Sequence, residues 1–321
     1  MSFSSALKDE LTRVRCTGAA ERSALLCAVA HSSASMKLGA NGLSIEFVTE
    51  SQSTADLTAK LVAELYALAP TLYARRPQGR GREGYVVSAA GENCAKLLAD
   101  YGCLPMEGAA DFTPGEVPHA YLLGERVAKC FIRGAFLGAG SVSDPHKGYH
   151  LEIVCRYERF AEIVRDLLLD FEIPARISAR KQNFVVYLKD GENIADFLRL
   201  VGAVDCVLEF ENIRVLRSMA NDLNRKLNFE DANMQKTARA SAQQLIDIRL
   251  IMDTAGLDAL PRPLRETAEA RLNNSEATLT ELARELEIGK SGLNHRFAKL
   301  SAIAEGIRLH GAAGAAGKGK E

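Results

Sequence analysis

Two stretches of the chain share one pattern of apolar and polar positions. Residues 42–70 and 149–174 each begin with alternating apolar and polar residues, continue into an amphipathic segment and end at a proline. Glu46 aligns with Glu152, and the same offset aligns apolar positions that recur every four residues. The change of period from two to about 3.6 predicts a strand followed by a helix in both stretches.

The likeness extends beyond these stretches in both directions. Upstream, ERSALLCAV (21–29) resembles FIRGAFLGA (131–139), and downstream both copies contain Gly-Glu-Asn before a short apolar helix. Residues of about 20–103 and 130–203 therefore form two copies of one unit, ordered helix-β-β-helix-β-β-helix. We expect residues 1–203 to fold as one duplicated, pseudo-two-fold α+β domain with equivalent helices packed at the axis.

Glycines mark the helix expected at that axis. In FIRGAFLGAGSV (131–142), Gly134 and Gly138 lie four residues apart on one helix face, and Gly140 precedes Ser141, which ends the helix. Glycine allows two backbones to approach closely. We therefore interpret this segment mainly as a packing device.

Each copy also carries a basic link between its last two strands. The links are ARRPQGRGRE (74–83) and ARISARKQN (175–183). Two basic hairpins at equivalent positions favour a surface that faces nucleic acid, but a short charge run is also typical of a solvated loop. The candidate phosphate-binding residues are Arg75, Arg76, Arg80, Arg82, Arg180 and Lys181.

The pattern becomes helical after the second copy. Residues 204–255 contain no glycine or proline, which predicts a helical linker. The polar segment NFEDAN (228–233) predicts a turn or a helix end within it. The many amides and cations around that segment suit contacts to DNA, and they suit a hydrogen-bond network between domains equally well.

The most specific pattern lies in residues 278–300. Thr278 and Glu281 have the spacing of a capping box, EIGK (287–290) reads as a tight turn, and an apolar stripe runs along each flanking segment. A third helix precedes them. This order predicts an all-α helix-turn-helix domain over 256–310 with its last helix in the major groove, and a generic helical hairpin is the other interpretation. The candidate DNA-binding residues are Lys290, Ser291, Asn294, His295, Arg296 and Lys299.

Composition narrows the classes of protein that remain. The 321 residues carry a formal net charge of −1, which excludes a uniformly basic nucleic-acid binder. No apolar run reaches the roughly 18 residues that a membrane span needs, so we expect no membrane partner. The seven scattered cysteines indicate reduced thiols in the cytoplasm, and no metal or cofactor site is expected. Residues 311–321 are of low complexity and are expected to be disordered.

Three segments resemble the WhiA family of sporulation and cell-division transcription regulators from Gram-positive bacteria. They are residues 131–153, 224–251 and 289–300. The resemblance covers nearly the whole chain and implies a LAGLIDADG homing-endonuclease-like domain joined to a helix-turn-helix domain. It also implies binding to double-stranded promoter DNA, association with the nucleoid, and control of genes for sporulation septation or chromosome segregation. Other transcription regulators are further candidate partners.

The resemblance implies a nuclease fold without its nuclease site. In active LAGLIDADG enzymes, an acid before the glycine that ends each symmetry helix holds the divalent metal that activates water. Here Ala139 takes that place, and the first copy has no acid between Glu21 and Glu46. We therefore predict no catalytic residue and no metal. Glu287 also departs from the pattern, because helix-turn-helix turns often have glycine there.

Three functions follow from these features. The leading one is a sequence-specific DNA-binding transcription regulator. The second is a homing endonuclease that uses acids elsewhere in the chain. The third is an adaptor whose LAGLIDADG-like domain binds protein while only the C-terminal domain binds DNA.

Overall fold

A computed structural model describes residues 2–39, 42–75, 84–104 and 113–316, with side chains described as far as Leu309. The chain divides into two compact units, Met1–Ser218 and Met219–Glu321. Each unit has its own hydrophobic core.

The first unit contains the two predicted copies. Helix α1 (Phe3–Leu11) precedes them. The first copy comprises α2 (Ala19–Ser33), β1 (Ala34–Gly39), β2 (Gly42–Thr49), α3 (Gln52–Tyr66), β3 (Thr71–Arg75), β4 (Gly84–Ala90) and α4 (Asn93–Asp100). The second comprises α5 (Glu125–Ala139), β5 (Gly140–Val142), β6 (Leu151–Cys155), α6 (Glu158–Asp170), β7 (Arg176–Arg180), β8 (Asn183–Leu188) and α7 (Gly191–Val201). The predicted helix-β-β-helix-β-β-helix order is confirmed in both copies.

The two sheets have the same topology. Their strand orders are β1-β2-β4-β3 and β5-β6-β8-β7, and every neighbouring pair is antiparallel. Glu46 lies opposite Ser35 on the neighbouring strand. Glu152 lies opposite Ser141 in the same way. The internal alignment read from the sequence therefore corresponds to one register of strand pairing.

Helices α2 and α5 pack against each other through the core of this unit. A Cβ atom added at Gly134 would lie 2.3 Å from the backbone oxygen of Leu25, and one at Gly138 would lie 2.6 Å from Cβ of Ser32. These distances are shorter than any side chain tolerates, so the two backbones approach too closely for a larger residue. The prediction that these glycines are packing devices is confirmed.

The segment after the second copy is one helix, α8 (Val204–Thr254), which begins in the first unit and continues into the second. Its first turn is capped by the Glu10 carboxylate, which accepts hydrogen bonds from the backbone N–H groups of Asp205 and Cys206 at 2.8 and 2.9 Å. An acid at a helix N-terminus satisfies free donors and complements the helix dipole. The turn predicted at 228–233 was wrong, because the helix runs through it.

The second unit also contains α9 (Arg262–Asn273), α10 (Leu279–Glu285) and α11 (Lys290–Ala316). Its core includes the predicted apolar stripes, among them Leu282, Leu293 and Phe297, packed with residues of α8. Both hydrogen bonds of the capping box are present between Thr278 and Glu281. The disordered tail expected from residue 311 does not hold for residues 311–316, which continue α11, and residues 317–321 lie outside the described residues.

Candidate nucleic-acid interface

The first turns of α11 present a row of polar side chains to solvent. Leu293, Phe297 and Leu300 are buried against the other helices of the unit. Because a helix repeats every 3.6 residues, the positions between them must face outward. The exposed residues are Lys290, Ser291, Asn294, His295 and Lys299.

Arg296, the sixth candidate on this helix, differs from the others. It is half-buried, and its Nη1 donates to the backbone oxygen of Pro263 at 3.2 Å and to Oγ1 of Thr267 at 3.4 Å. These bonds tie α11 to α9. Arg296 therefore has a structural role in orienting α11, and any contact that it makes to DNA stays a prediction.

The turn before α11 has a defined geometry. Glu287 adopts a left-handed backbone with φ of 52°. The N–H of Ile288 donates to the oxygen of Ala283 at 2.9 Å, and the N–H of Glu287 donates to Arg284 at 3.2 Å. This pair of bonds is the Schellman motif, which usually has glycine at the left-handed position. The departure from the helix-turn-helix pattern noted at Glu287 is therefore a glutamate in a turn conformation that usually takes glycine.

Glu46 anchors a polar network on the solvent face of the first sheet. Nζ of Lys37 lies 2.6 Å from its carboxylate, and the hydroxyl of Tyr73 donates to it at 3.4 Å. The Glu46 side chain is 15% exposed and that of Lys37 is 61% exposed. The acid is therefore neutralised by a neighbour, while the cation still reaches solvent.

Glu152 plays the equivalent part on the second sheet. It accepts from the Ser141 hydroxyl at 3.3 Å, and Nε2 of His150 and Nη1 of Arg180 lie 3.3 and 3.8 Å from its carboxylate. Lys189 lies over the Tyr187 ring on the same face, 5.1 Å from its centroid. A hollow of about 210 Å³ is lined by His150, Glu152, Arg180, Tyr187 and Lys189.

Sequence reasoning selected Arg180 as a site residue, but not the other main residues of these two networks. They are Lys37, Glu46, Tyr73, His150, Glu152, Tyr187 and Lys189. The alternation of the strands could have indicated which of these residues share a sheet face, because every second residue of a strand points to the same side.

The basic hairpins are described only in part. Arg75 ends β3 and is exposed, whereas Arg76, Arg80 and Arg82 lie outside the described residues. In the second copy, Arg180 ends β7 with a side chain that is 73% exposed, and Lys181 follows in the turn with φ of 58°. Arg180 and Lys181 are therefore adjacent and open to solvent at one end of the second sheet.

The tips of the central helices carry no carboxylate. Helix α5 ends at Ala139 and α2 ends at Ser33, each directly before the first strand of its copy. Within the described ranges, no group of three or more histidine, cysteine, aspartate or glutamate side chains is arranged to hold a metal ion. None of the helices in those ranges is long and apolar enough to cross a membrane.

Comparisons with known proteins agree with this architecture. Family models described as the WhiA N-terminal LAGLIDADG-like domain, the WhiA LAGLIDADG-like domain and the WhiA C-terminal HTH domain match residues 19–104, 128–220 and 223–304. The chain is 38% identical over 316 residues to the probable cell division protein WhiA of Clostridium acetobutylicum, which covers 97% of this chain and 100% of the relative. It is 40% identical to the protein of the same name from Alkaliphilus oremlandii, over 95% and 97% of the two chains.

A solved structure extends the likeness to the fold. The crystal structure of full-length DUF199/WhiA from Thermatoga maritima aligns with a TM-score of 0.58 and 25% identity, covering 95% of this chain and 98% of that one. The molecule is thus a duplicated LAGLIDADG-like α+β unit followed by a helical unit with a helix-turn-helix. The chain belongs to the WhiA family.

Proposed function

We propose that this protein is a sequence-specific DNA-binding transcription regulator, and that α11 reads the major groove. The proposal rests on the exposed polar row at the start of α11, which is held by a buried apolar stripe packed against α8, α9 and α10. Helix-turn-helix proteins read base edges with the N-terminal residues of this helix. Its partner on this proposal is double-stranded promoter DNA.

The exposed side chains of α11 suit two kinds of DNA contact, to base edges and to phosphates. Asn294 can pair bidentately with adenine, a contact that discriminates against other bases by roughly 1–3 kcal/mol. Lys290 and Lys299 suit phosphates, which position a helix without reading sequence.

The test compares two single variants against operator duplex and scrambled duplex at one fixed salt concentration. We expect Asn294→Ala to weaken operator binding and leave scrambled binding nearly unchanged. Lys299→Ala should weaken both alike. Equal losses for Asn294→Ala on both duplexes, or no loss on either, would contradict the assignment of Asn294 as a base reader.

We further propose that the LAGLIDADG-like unit does not cut DNA. Alanine at the tip of α5 and serine at the tip of α2 cannot supply the carboxylates that hold a catalytic metal in such enzymes. Incubation of the full chain with supercoiled plasmid and magnesium or manganese should give no linear product. Cutting that disappears with chelator and in an Ala139→Lys variant would show that acids elsewhere form a site.

The regulated genes are proposed to be those of cell division, sporulation septation or chromosome segregation. The protein would act on them in the cytoplasm, at the nucleoid. Support comes from the name of the relatives, probable cell division protein WhiA. Chromatin immunoprecipitation of the tagged protein would give the target genes and the bound motif together. Peaks that carry no common motif, or that fall on unrelated genes, would count against the proposal.

The adaptor remains the second candidate function. The observation in its favour is that Glu46 and Glu152 pair with Lys37 and Arg180 on the two sheet faces, so these cations already have an acidic partner and are less available to phosphates. On this alternative the first unit binds other transcription regulators and only the second unit binds DNA.

A further inference from the structure

Two cysteines from distant parts of the chain meet beside a buried arginine in the first unit. Cys16 lies in the loop between α1 and α2, and Cys130 lies on α5. Their sulfur atoms are 3.2 Å apart, and both thiols are free. A disulfide needs a sulfur–sulfur distance of about 2.05 Å, so a movement of roughly 1 Å would join them.

Arg133 places a positive charge beside this pair of thiols. Its Nη1 lies 3.4 Å from Sγ of Cys16, and its Nε donates to the backbone oxygen of Val201 at 2.9 Å. Arg133 is 6% exposed, so its charge acts on the sulfur with little screening by solvent. A cation held in this way stabilises a thiolate, the form of cysteine that reacts.

The two thiols differ in access to solvent. Cys16 is half-buried and lines an open pocket of about 350 Å³ together with Arg13, Arg15, Arg22 and Lys60. Cys130 is buried behind it. A small oxidant can therefore reach Cys16 first, while Cys130 is positioned to attack it from the protein side.

The pKa shifts of the two thiols agree with Cys16 reacting first and Cys130 second. The hydrogen bond from Cys130 lowers the pKa of Cys16, and the charge of Arg133 acts in the same direction, against the effects of burial and of Glu21. Glu21 is itself paired with Arg126 at 3.0 Å. The hydrogen bond to Cys16 and burial raise the pKa of Cys130.

We propose that Cys16 and Cys130 form an oxidation site at which a hydroperoxide converts two thiols into one disulfide. The Cys16 thiolate attacks a peroxide oxygen, the O–O bond breaks, and the leaving hydroxide takes up a proton as water. This step leaves a sulfenic acid on Cys16. The Cys130 sulfur then attacks the Cys16 sulfur, the S–O bond breaks, and the leaving hydroxide takes up the Cys130 proton to form a second water. With hydrogen peroxide, the two thiols lose two electrons and two protons and the peroxide becomes two waters.

The disulfide would covalently join the loop between α1 and α2 to the central helix α5. This modification is separate from the proposed DNA contacts on α11, and its test does not depend on them.

The experiment treats the folded full chain with hydrogen peroxide, blocks the remaining thiols by alkylation, and maps disulfide-linked peptides by mass spectrometry without reduction. We expect a Cys16–Cys130 linkage that a thiol reductant reverses. Cys103 is the matched control, because it is also half-buried, while burial raises its pKa to about 12. Oxidation of Cys16 should be at least about tenfold faster than that of Cys103.

Variants separate the two roles. In Cys130→Ala, which keeps a small apolar side chain in the core, Cys16 should stop at the sulfenic acid and be trapped by dimedone. Cys103→Ala should leave the Cys16–Cys130 linkage unchanged. Oxidation of Cys103 as fast as Cys16, or a linkage that forms only after unfolding in denaturant, would overturn the proposal. The wild-type peptide map decides this even if a variant fails to fold.

Discussion

Glu287 carries a side chain at a backbone position that favours glycine. A non-glycine residue in the left-handed region costs about 1–2 kcal/mol. Glycine would remove this cost, but its greater conformational freedom in the unfolded chain offsets about 0.5–1 kcal/mol of the gain. We expect Glu287→Gly to raise the free energy of unfolding of the second unit by up to about 1 kcal/mol. Chemical denaturation of the full chain, followed by a probe in that unit, measures it.

The matched control is Glu287→Ala, which removes the charge and keeps the Cβ atom. It should give no comparable gain. Equal stabilisation by both variants would mean that the glutamate charge, and not the backbone, is the unfavourable feature of this turn.

Asp247 on α8 makes the stability of the second unit depend on pH. Its side chain is 3% exposed and receives hydrogen bonds from Arg308 at 2.6 Å and Gln243 at 2.8 Å. Burial opposes the charged form, but these bonds and the Arg308 charge outweigh it and hold the pKa of Asp247 below its usual value. A lowered pKa in the folded state adds stability above the unfolded pKa of about 3.9, and this stability is lost as pH falls through the folded pKa.

We therefore expect Asp247→Asn to destabilise the protein most at neutral pH, by about 1–3 kcal/mol, and to approach wild type below about pH 4. Thermal unfolding as a function of pH measures the difference. Asp253→Asn changes an exposed acid on the same helix and should stay within about 0.5 kcal/mol at every pH. A constant difference between Asp247→Asn and wild type would show that its charge does not matter.

At the scale of elements, the α2–α5 pair depends on the absence of side chains on α5. Gly134→Ala would place a methyl group against the backbone of α2, which cannot move as a flexible side chain can. We expect a loss of about 1–3 kcal/mol or more in the free energy of unfolding of the first unit, measured by denaturation.

Gly292→Ala provides the control for this prediction. It also changes a glycine to alanine within a helix, but nothing lies within 4 Å of the added Cβ. There alanine should leave stability unchanged or add up to about 1 kcal/mol, because Gly292 lies in the first turn of α11 and the full propensity gain applies to a helix interior. If Gly134→Ala were tolerated equally well, the close approach of α2 and α5 would not be required for the fold.

The elements themselves were largely predictable from the sequence. The two copies were found because their strands and helices have periods of two and 3.6, and the capping box at Thr278 fixed the start of α10. The turn expected at 228–233 was wrong for a physical reason. Asparagine and aspartate lower helix propensity by less than about 0.7 kcal/mol each, and no glycine or proline interrupts α8.

Strand alternation indicates which residues share a sheet face, but the pairings around Glu46 and Glu152 could not be read from the sequence. Lys37 meets Glu46 across a hairpin, while Arg180 reaches Glu152 across the intervening strand β8. Such pairs depend on strand order and register, which a local pattern does not contain. In the same way, Cys16 and Cys130 meet only because α5 packs beside the loop that precedes α2.

For the whole molecule, a net charge of −1 means that any DNA contact must come from local groups of cations. Two such groups lie in different units, Lys290 and Lys299 on α11, and Arg180 with Lys181 at the end of β7. If both groups bind phosphates, both units contact DNA. If only the group on α11 does, the first unit fits the adaptor. The salt dependence of affinity counts these contacts, because each neutralised phosphate releases condensed counterions.

The double variant Arg180→Ala with Lys181→Ala tests the contribution of the first unit. If both residues contact phosphates, each lost contact should reduce the slope of log affinity against log salt by roughly 0.9. Arg165→Ala is the control, because Arg165 lies on α6, which packs against the opposite face of the same sheet. It should leave the slope unchanged. Titration of the three full-length proteins against one operator duplex over a range of salt concentrations measures the slopes. A double variant that matches the control would mean that the second sheet does not face DNA at this end, and the adaptor would then be the better description of the first unit.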